Sequence, residues 1–336
     1  MRVHPVASSA PAGVAPPDET TRQEARAAQP GGSYGRLEDL AAWLAACQGR
    51  APARAPRRVR AVLFAADHGI AAAGVSAHAP GETVARVAAA RDGSAAVSRF
   101  AGIAGAGLRV VDVGLATPVP GDARDDRAVS RGGGRLDVED VLTADQAAAA
   151  LRAGREVADE EVDEGADLLV VGELGVGVST PTAVLAAAMT GREPVAVVGR
   201  GSGIDDRAWM VKAAAVRDGL RRTRPVGRDP QGLLRVAGGA DLAALVGFLG
   251  QAARRRTPVL LDGAATAVAA LLADSEVPGA RAWWASGTRC TEPAQAFALD
   301  ILGLEPLLDL SMRAGQGTGA LAAVGLVRAA VAVGDG

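Results

Sequence analysis

Short, unbroken apolar runs alternate along this chain with longer stretches in which apolar positions recur every three or four residues. The runs fall within residues 58–66 (VRAVLFAA), 108–114 (LRVVDVG), 166–172 (ADLLVVG), 193–199 (EPVAVVG), 257–263 (TPVLLDG) and 281–287 (RAWWASG). Each is too short for an ordinary helix and lacks polar alternation, so each predicts a strand buried on both faces. The stretches between them, among them TPTAVLAAAMTG, ADLAALVGFLGQAARRR and EPAQAFALDILG, have helical spacing. Gly49 stops the helix LEDLAAWLAACQG, and Thr143 stands as N-cap of a long helix that opens TADQ. Strands alternating with helices predict an α/β protein with a doubly wound, mostly parallel, Rossmann-like sheet. Residues 117–140 carry Gly, Asp, Arg and Pro with little pattern and read as a long loop. The Ala- and Pro-rich segment 1–33 reads as a disordered tail, 34–57 as a helical part, 58–304 as the sheet domain and 305–336 as a C-terminal helical part. The helices at the two ends are expected to join in a small cap.

Nearly every predicted strand runs into a small or polar cluster: ADHG, VDVG, VVGELGVG, VVGRGSG, LLDG and WASG. Ligands of such sheets bind at the carboxyl ends of strands, so these clusters are where a site is built. Composition narrows the choice of ligand. The 336 residues, 49% hydrophobic, suffice for a large core, and the formal net charge of −2 with 3% aromatics gives no sign of a nucleic-acid or acidic-membrane partner. No run of about 18 uncharged apolar residues appears, and the N-terminus lacks the apolar stretch of a signal peptide. Two cysteines, Cys47 and Cys290, cannot form a framework, and a reduced cytoplasm is the simplest setting. His4, His68 and His78 are too few and scattered for a zinc site, so neither metal nor cofactor is expected.

GELGVGVSTPT follows a strand and opens a helix, with Gly172, Gly175 and Gly177. Exposed backbone N–H groups there suit a phosphate or carboxylate, although a tight turn without ligand has the same composition. The spacing is not that of a dinucleotide fingerprint. Glu173 sets a carboxylate at the same strand end. GRGSGIDD repeats the logic with Gly201, Ser202 and Gly203, and the helix after it carries Lys212, the only lysine of the chain. Asp67 and His68 follow the first strand; an acid/base pair or metal ligands are one reading, and residues that order the loop are the favoured one. Asp262 ends another strand. Cys290 reads as a small packed side chain rather than a nucleophile.

These segments, in this order, resemble the nicotinate-nucleotide:dimethylbenzimidazole phosphoribosyltransferase family. The carriers are FAADHGIAAAGVSA, LRVVDVG, VVGELGVGVSTPTA, VVGRGSGIDD, VAGGADLAALVGFL, PVLLDGAATAVAALLA and TEPAQAFALDILGLEPLLDLSMRAGQGTGAL, from about Arg36 to Ala330. The resemblance implies a homodimer with a Rossmann-like large domain and a small helical domain from both termini. It implies transfer of the ribose 5-phosphate of nicotinate mononucleotide to a benzimidazole nitrogen, with inversion at the anomeric carbon. Nicotinate leaves neutral at its ring nitrogen, so positioning and phosphate binding carry most of the catalysis. The phosphate and nucleotide positions would be Gly172, Gly175, Gly177, Gly201, Ser202, Gly203, Lys212, Cys290, Gly315 and Gly317. Ser76 and Glu82 would lie at the acceptor pocket, with Asp67, His68 and Asp262 in support.

The family's last loop reads Gly-Glu-Gly-x-Gly, and its glutamate is the general base. This chain has Gly315, Gln316, Gly317. An amide can hold an N–H but cannot remove its proton, so the resemblance implies weakened rather than abolished catalysis, with Glu173 the remaining carboxylate. Val178, Thr288 and Cys290 also depart from the family's Asn, His and Ser, which leaves the acceptor base open. The alternative is a relative that binds a nucleotide or ribazole phosphate without efficient turnover. A nicotinamide-dependent oxidoreductase on the same kind of sheet would carry the glycine fingerprint after the first strand, where this chain has DHG.

Overall fold

A computed structural model describes residues 13–119 and 125–333. Expectations for residues 1–12, for 120–124 of the long loop and for 334–336 lie outside the described residues. Six strands form one parallel sheet: β1 (Val59–Ala66), β2 (Ala106–Gly114), β3 (Leu168–Leu174), β4 (Val259–Leu261), β5 (Trp284–Cys290) and β6 (Pro306–Met312), in the order β2-β1-β3-β4-β5-β6. β1 pairs with β2 from Val59 opposite Ala106 and with β3 from Val59 opposite Leu168. Five of the strands lie where the apolar runs predict them.

Neighbouring side chains of a strand point to opposite faces. On β1, Phe64 meets Phe248 of the helix Ala240–Arg254, ring edge to face at 5.7 Å between centroids. Leu63 turns the other way, beneath Gly172 and Gly317 at the head of the helix Thr318–Val333. The sheet is thus covered on both faces, as its unbroken apolar strands require. The helix Ala144–Asp163 lies against Ala240–Arg254, and glycines make the crossing close. A Cβ on Gly154 would strike the carbonyl of Ala244, and one on Gly247 the carbonyl of Leu151. Thr143 caps this helix as expected, with Gln146 completing a reciprocal pair of hydrogen bonds.

Three expectations are corrected. The segment 193–199 is not a strand. Pro194 opens a four-residue helix, Pro194–Val197. A proline at the first helical position is preorganised for that turn, and a short apolar run alone does not separate the two forms. The sheet also extends past the expected boundary at 304, because β6 pairs with β5. β6 is an edge strand, half exposed, so its sequence lacks the unbroken apolar run of the buried strands. Finally, the supposed tail is held down from Val14 onward. Val14 donates to Pro278 O at 2.9 Å, and Trp283 Nε1 donates to Ala15 O at 3.0 Å. Asp18 caps a helix at Glu19–Ala27, which packs on the helix Arg36–Gln48. The latter packs in turn on Thr318–Val333, so helices from the two ends of the described residues meet.

Candidate active site

The strand order reverses at β1, whose neighbours are β2 on one side and β3 on the other. Outside the carboxyl ends of strands at such a reversal the connections diverge and leave a crevice. A cavity of about 470 Å³ opens here, within the range of small-molecule sites. Its walls come from Ser76 and His78 after β1, Glu173 at the end of β3 with Gly175 to Ser179 beyond it, Gly263 to Ala265 after β4, Cys290 at the end of β5 with Thr291 and Glu292, Gly201 with Ser202, and Arg313 to Gln316 after β6.

At the end of β3, two glycines allow other segments to close in. A Cβ on Gly172 would lie 2.6 Å from the Gly317 nitrogen and 2.8 Å from the Gln316 carbonyl carbon. A Cβ on Gly175 would lie 3.2 Å from the His68 ring. Between them stands Glu173. It keeps some surface toward the cavity, but Oε2 is buried without a hydrogen-bond partner among the described residues. A Cβ on Gly315 would lie 3.1 Å from its Oε1. Burial first, and then the carboxylates of Asp262 and Asp241, push the Glu173 pKa up to about 8.

Asp262, just beyond β4, holds the last loop in place. Its two carboxylate oxygens accept the N–H of Gly317 and of Ala320, each at 3.0 Å. These are orphan donors at the start of Thr318–Val333, so a residue distant in sequence caps that helix. Burial raises the Asp262 pKa against these hydrogen bonds. The loop it fixes is strained: Gln316 has φ 60°, between Gly315 at 61° and Gly317 at 77°. A non-glycine residue in that region is uncommon and marks a site that the surroundings impose.

The opposite wall is the loop 199–203. Lys212 does not face the cavity there. Its side chain is 0% exposed; Nζ donates to Ser179 Oγ and Gly199 O, each at 3.0 Å, and lies 3.5 Å from Glu292. Burial pulls its pKa down, with Glu292 opposing. Glu292, at the cavity's edge, also accepts the Gly201 N–H at 2.7 Å, so the glutamate and the lysine behind it brace the loop. Ser202 joins it to the loop after β1, accepting from Ala77 N at 2.8 Å and lying 3.2 Å from Ser76 Oγ.

Other predicted positions divide similarly. Ser76, Gly175, Gly177, Gly201, Ser202, Cys290, Gly315 and Gln316 line the cavity. Glu82 does not. It accepts from Ala79 N at 2.9 Å and pairs with His78 at 3.1 Å, so it orients a cavity histidine instead. His68 is buried under Gly175, with Nε2 3.0 Å from Asp241 Oδ2; burial works against its charge, but Asp241 outweighs it and the pKa rises. Asp67 accepts from Ala116 N at 2.9 Å. Both order the loop, as the favoured reading has it. Burial pushes the Cys290 thiol up to about 11, which makes it no nucleophile. Sequence reasoning missed Asp241, Glu292, Ser179 and Arg313. The signal for Glu292 was its place directly after a strand and before a proline.

A family model described as "Phosphoribosyltransferase" matches residues 14–336. The chain is 55% identical over 324 residues to the nicotinate-nucleotide–dimethylbenzimidazole phosphoribosyltransferase of Mycolicibacterium paratuberculosis, covering 95% of this chain and 93% of that one. It is 52% identical to the enzyme of the same name from Mycobacterium tuberculosis, at 95% and 90%. The crystal structure of the like-named Thermus thermophilus protein superposes with a TM-score of 0.89 at 36% identity, covering 95% of this chain and 96% of that one. The chain belongs to the nicotinate-nucleotide–dimethylbenzimidazole phosphoribosyltransferase family. It is a transferase of the phosphoribosyl type, with the Rossmann-like parallel sheet of that family. Among the described residues no helix is long and apolar enough to cross a membrane.

Proposed function

We propose that this phosphoribosyltransferase moves the ribose 5-phosphate of nicotinate mononucleotide to 5,6-dimethylbenzimidazole or a related base, giving α-ribazole 5′-phosphate and nicotinate for the nucleotide loop of cobalamin. The observation that carries the reading is the cavity itself. One wall is the glycine loop that opens the helix Ser179–Thr190, the other is the braced loop at Gly201 and Ser202, and a residue with amide chemistry, Gln316, closes the end. The first two suit a phosphorylated ribose, because main-chain N–H groups and a helix N-terminus favour an anion. Arg313, whose guanidinium would lie 3.7 Å from a Cβ on Gly203, adds a positive charge at that wall.

Bond breaking needs little help from an acid. The pyridinium nitrogen departs with the electron pair of the glycosidic bond and becomes neutral. Holding the anomeric carbon in line between the two rings is therefore the larger task, and one that rigid loops perform. Gln316 offers its amide to the polar edge of the acceptor, which orients that ring without taking its proton. Lys212, Glu292 and Asp262 keep the loops in register, and the Glu82–His78 pair borders the acceptor side through Ser76.

We read the working unit as a cytoplasmic homodimer. Support comes from large apolar side chains left exposed on this single chain, Met210 at 61% and Leu310 at 62% among them. Light scattering of the purified protein checks the dimer. The central test is nicotinate release from nicotinate mononucleotide over a panel of benzimidazole, purine and phenol acceptors. Release that depends on an acceptor supports transfer. Tight binding of the nucleotide with no release from any acceptor favours the second reading, a binding relative, for which the amide at position 316 speaks.

A further inference from the structure

We propose that Glu173 takes the proton that the acceptor base loses during transfer. This rests on the transferase reading above and assigns a step that Gln316 cannot perform.

The atoms balance as follows. The unprotonated ring nitrogen of a neutral benzimidazole gives its lone pair to the anomeric carbon. The bond from that carbon to the pyridinium nitrogen breaks, and its electrons neutralise the departing ring. The acceptor ring is then a cation whose second nitrogen carries a proton. That N–H bond breaks toward a carboxylate oxygen, leaving a neutral riboside and a neutral carboxylic acid. The positive charge that entered on the pyridinium ends by cancelling one carboxylate.

Six titratable side chains line the cavity: His78, Arg86, Glu173, Cys290, Glu292 and Arg313. The guanidinium groups stay protonated. His78 is bound to Glu82 on the loop tied to Ser202. Glu292 is engaged by Gly201 N and Lys212. Cys290 belongs to a thiol too weakly acidic to cycle near neutrality. Glu173 remains, beside Gly315 at the loop that carries Gln316, with one buried carboxyl oxygen unpartnered among the described residues. A buried carboxyl oxygen without a partner leaves the group under-satisfied, and the part of Glu173 that keeps surface toward the cavity is where an incoming N–H meets it.

The surroundings also suit the task. Facing Glu173 are Asp262 beyond β4 and Asp241 at the head of Ala240–Arg254, the latter paired with His68 at the end of β1; Arg313 lies across the cavity. Two carboxylates and burial hold the Glu173 pKa near the working pH, where a proton acceptor is most effective. In the empty enzyme at neutrality the acid form prevails. The carboxylate fraction is the form that accepts the proton, so turnover should rise with pH through this range.

Two measurements on the full-length enzyme test this. The first is the pH profile of nicotinate release in wild type, Glu173→Gln and the double variant Glu173→Gln/Gln316→Glu. Glu173→Gln should lower kcat by about 10² to 10⁴, the usual contribution of such a group, and abolish the ionisation seen in wild type. The double variant should regain part of the rate. The second is calorimetry of nicotinate mononucleotide binding to wild type and Glu173→Gln at one pH. Both should bind it with similar affinity, because the proton is taken only after the new bond has formed. A variant that keeps the wild-type rate, or loses affinity for the nucleotide in proportion to its rate, overturns the assignment of Glu173 and leaves the transferase reading standing. Absence of nicotinate release from wild type with every acceptor overturns both.

Discussion

Two carboxylates stand one strand apart in this fold and do opposite things. Asp262 follows β4 and Glu173 ends β3; both are enclosed, and burial raises the pKa of both. Asp262 has its oxygens filled by the main chain, at Gly317 N and Ala320 N. Glu173 has an oxygen that nothing among the described residues fills. A buried group that is fully hydrogen-bonded contributes to the architecture, whereas one left wanting is a place where a ligand supplies the missing partner. The acid that holds the loop and the acid we assign to the proton are thus told apart by partners and not by pKa.

Removing the anchor is the harshest way to break this contrast. Asp262→Ala leaves two helix-end N–H groups buried without acceptors, at about 1–3 kcal/mol for each unsatisfied group. We expect a loss of about 3 kcal/mol in denaturant unfolding, together with loss of turnover as the loop 315–317 loosens. Glu173→Gln should cost the fold little, because no internal hydrogen bond of Oε2 is lost. Equal destabilisation by the two changes would erase the distinction.

Next in size is the brace behind the loop 199–203. Lys212→Met removes the ammonium from Ser179, Gly199 and Glu292 and leaves the glutamate with the Gly201 N–H alone. Breaking a buried pair by removing one partner is costly, but Glu292 borders the cavity and regains water. About 2 kcal/mol is therefore expected, less than for a closed core. Since Lys212 does not reach the cavity, KM for the nucleotide should rise more than kcat falls. A collapse of kcat at unchanged KM would place the lysine at the reacting atoms instead.

The same contrast shows how much could be read beforehand. Unbroken runs such as LLVVG announced the buried strands, and glycine clusters after them announced where the cavity lies. The pattern was silent where burial is partial or the chain leaves the sheet. β6 lies at an edge with no fully buried position, and EPVAVVG has a strand's composition but forms a proline-led helical turn. Site positions were legible by type, not by direction. Lys212 was expected to face a phosphate and braces the loop from behind; Glu82 was expected in the acceptor pocket and orients His78. Whether a charged side chain turns in or out depends on partners far along the chain, such as Glu292 and Asp241, which local pattern does not reveal.

Glu173 is separated from its neighbours by pH as well. A carboxyl group whose folded pKa is raised holds its proton in the folded state after the unfolded chain has released it. Between the ordinary carboxylate range and about 8, the folded state binds more protons, so stability is highest on the acid side and falls as pH rises. Glu173→Gln removes that contribution. The variant should match wild type at about pH 4 and gain on it toward about pH 9, checked by denaturant midpoints across the range. Parallel curves would mean that Glu173 titrates like an exposed carboxylate.

The mildest change sharpens the contrast most directly at position 316. Gln316 occupies φ 60° because Asp262 fixes Gly317 and because β3 passes close below at Gly172. A left-handed backbone costs a non-glycine residue about 1–2 kcal/mol, and glycine loses about 0.5–1 kcal/mol more than alanine to backbone entropy on folding. Gln316→Gly should therefore stabilise the fold slightly, by about 0.5 kcal/mol. If the side chain orients the acceptor, the same change should raise KM for the base and slow turnover while the protein becomes harder to unfold. Stability and activity moving in opposite directions is the mark of a strained residue kept for its function. A variant that gains stability and keeps full activity would show that the amide at 316 touches nothing that matters, and that Glu173 meets the acceptor without a companion.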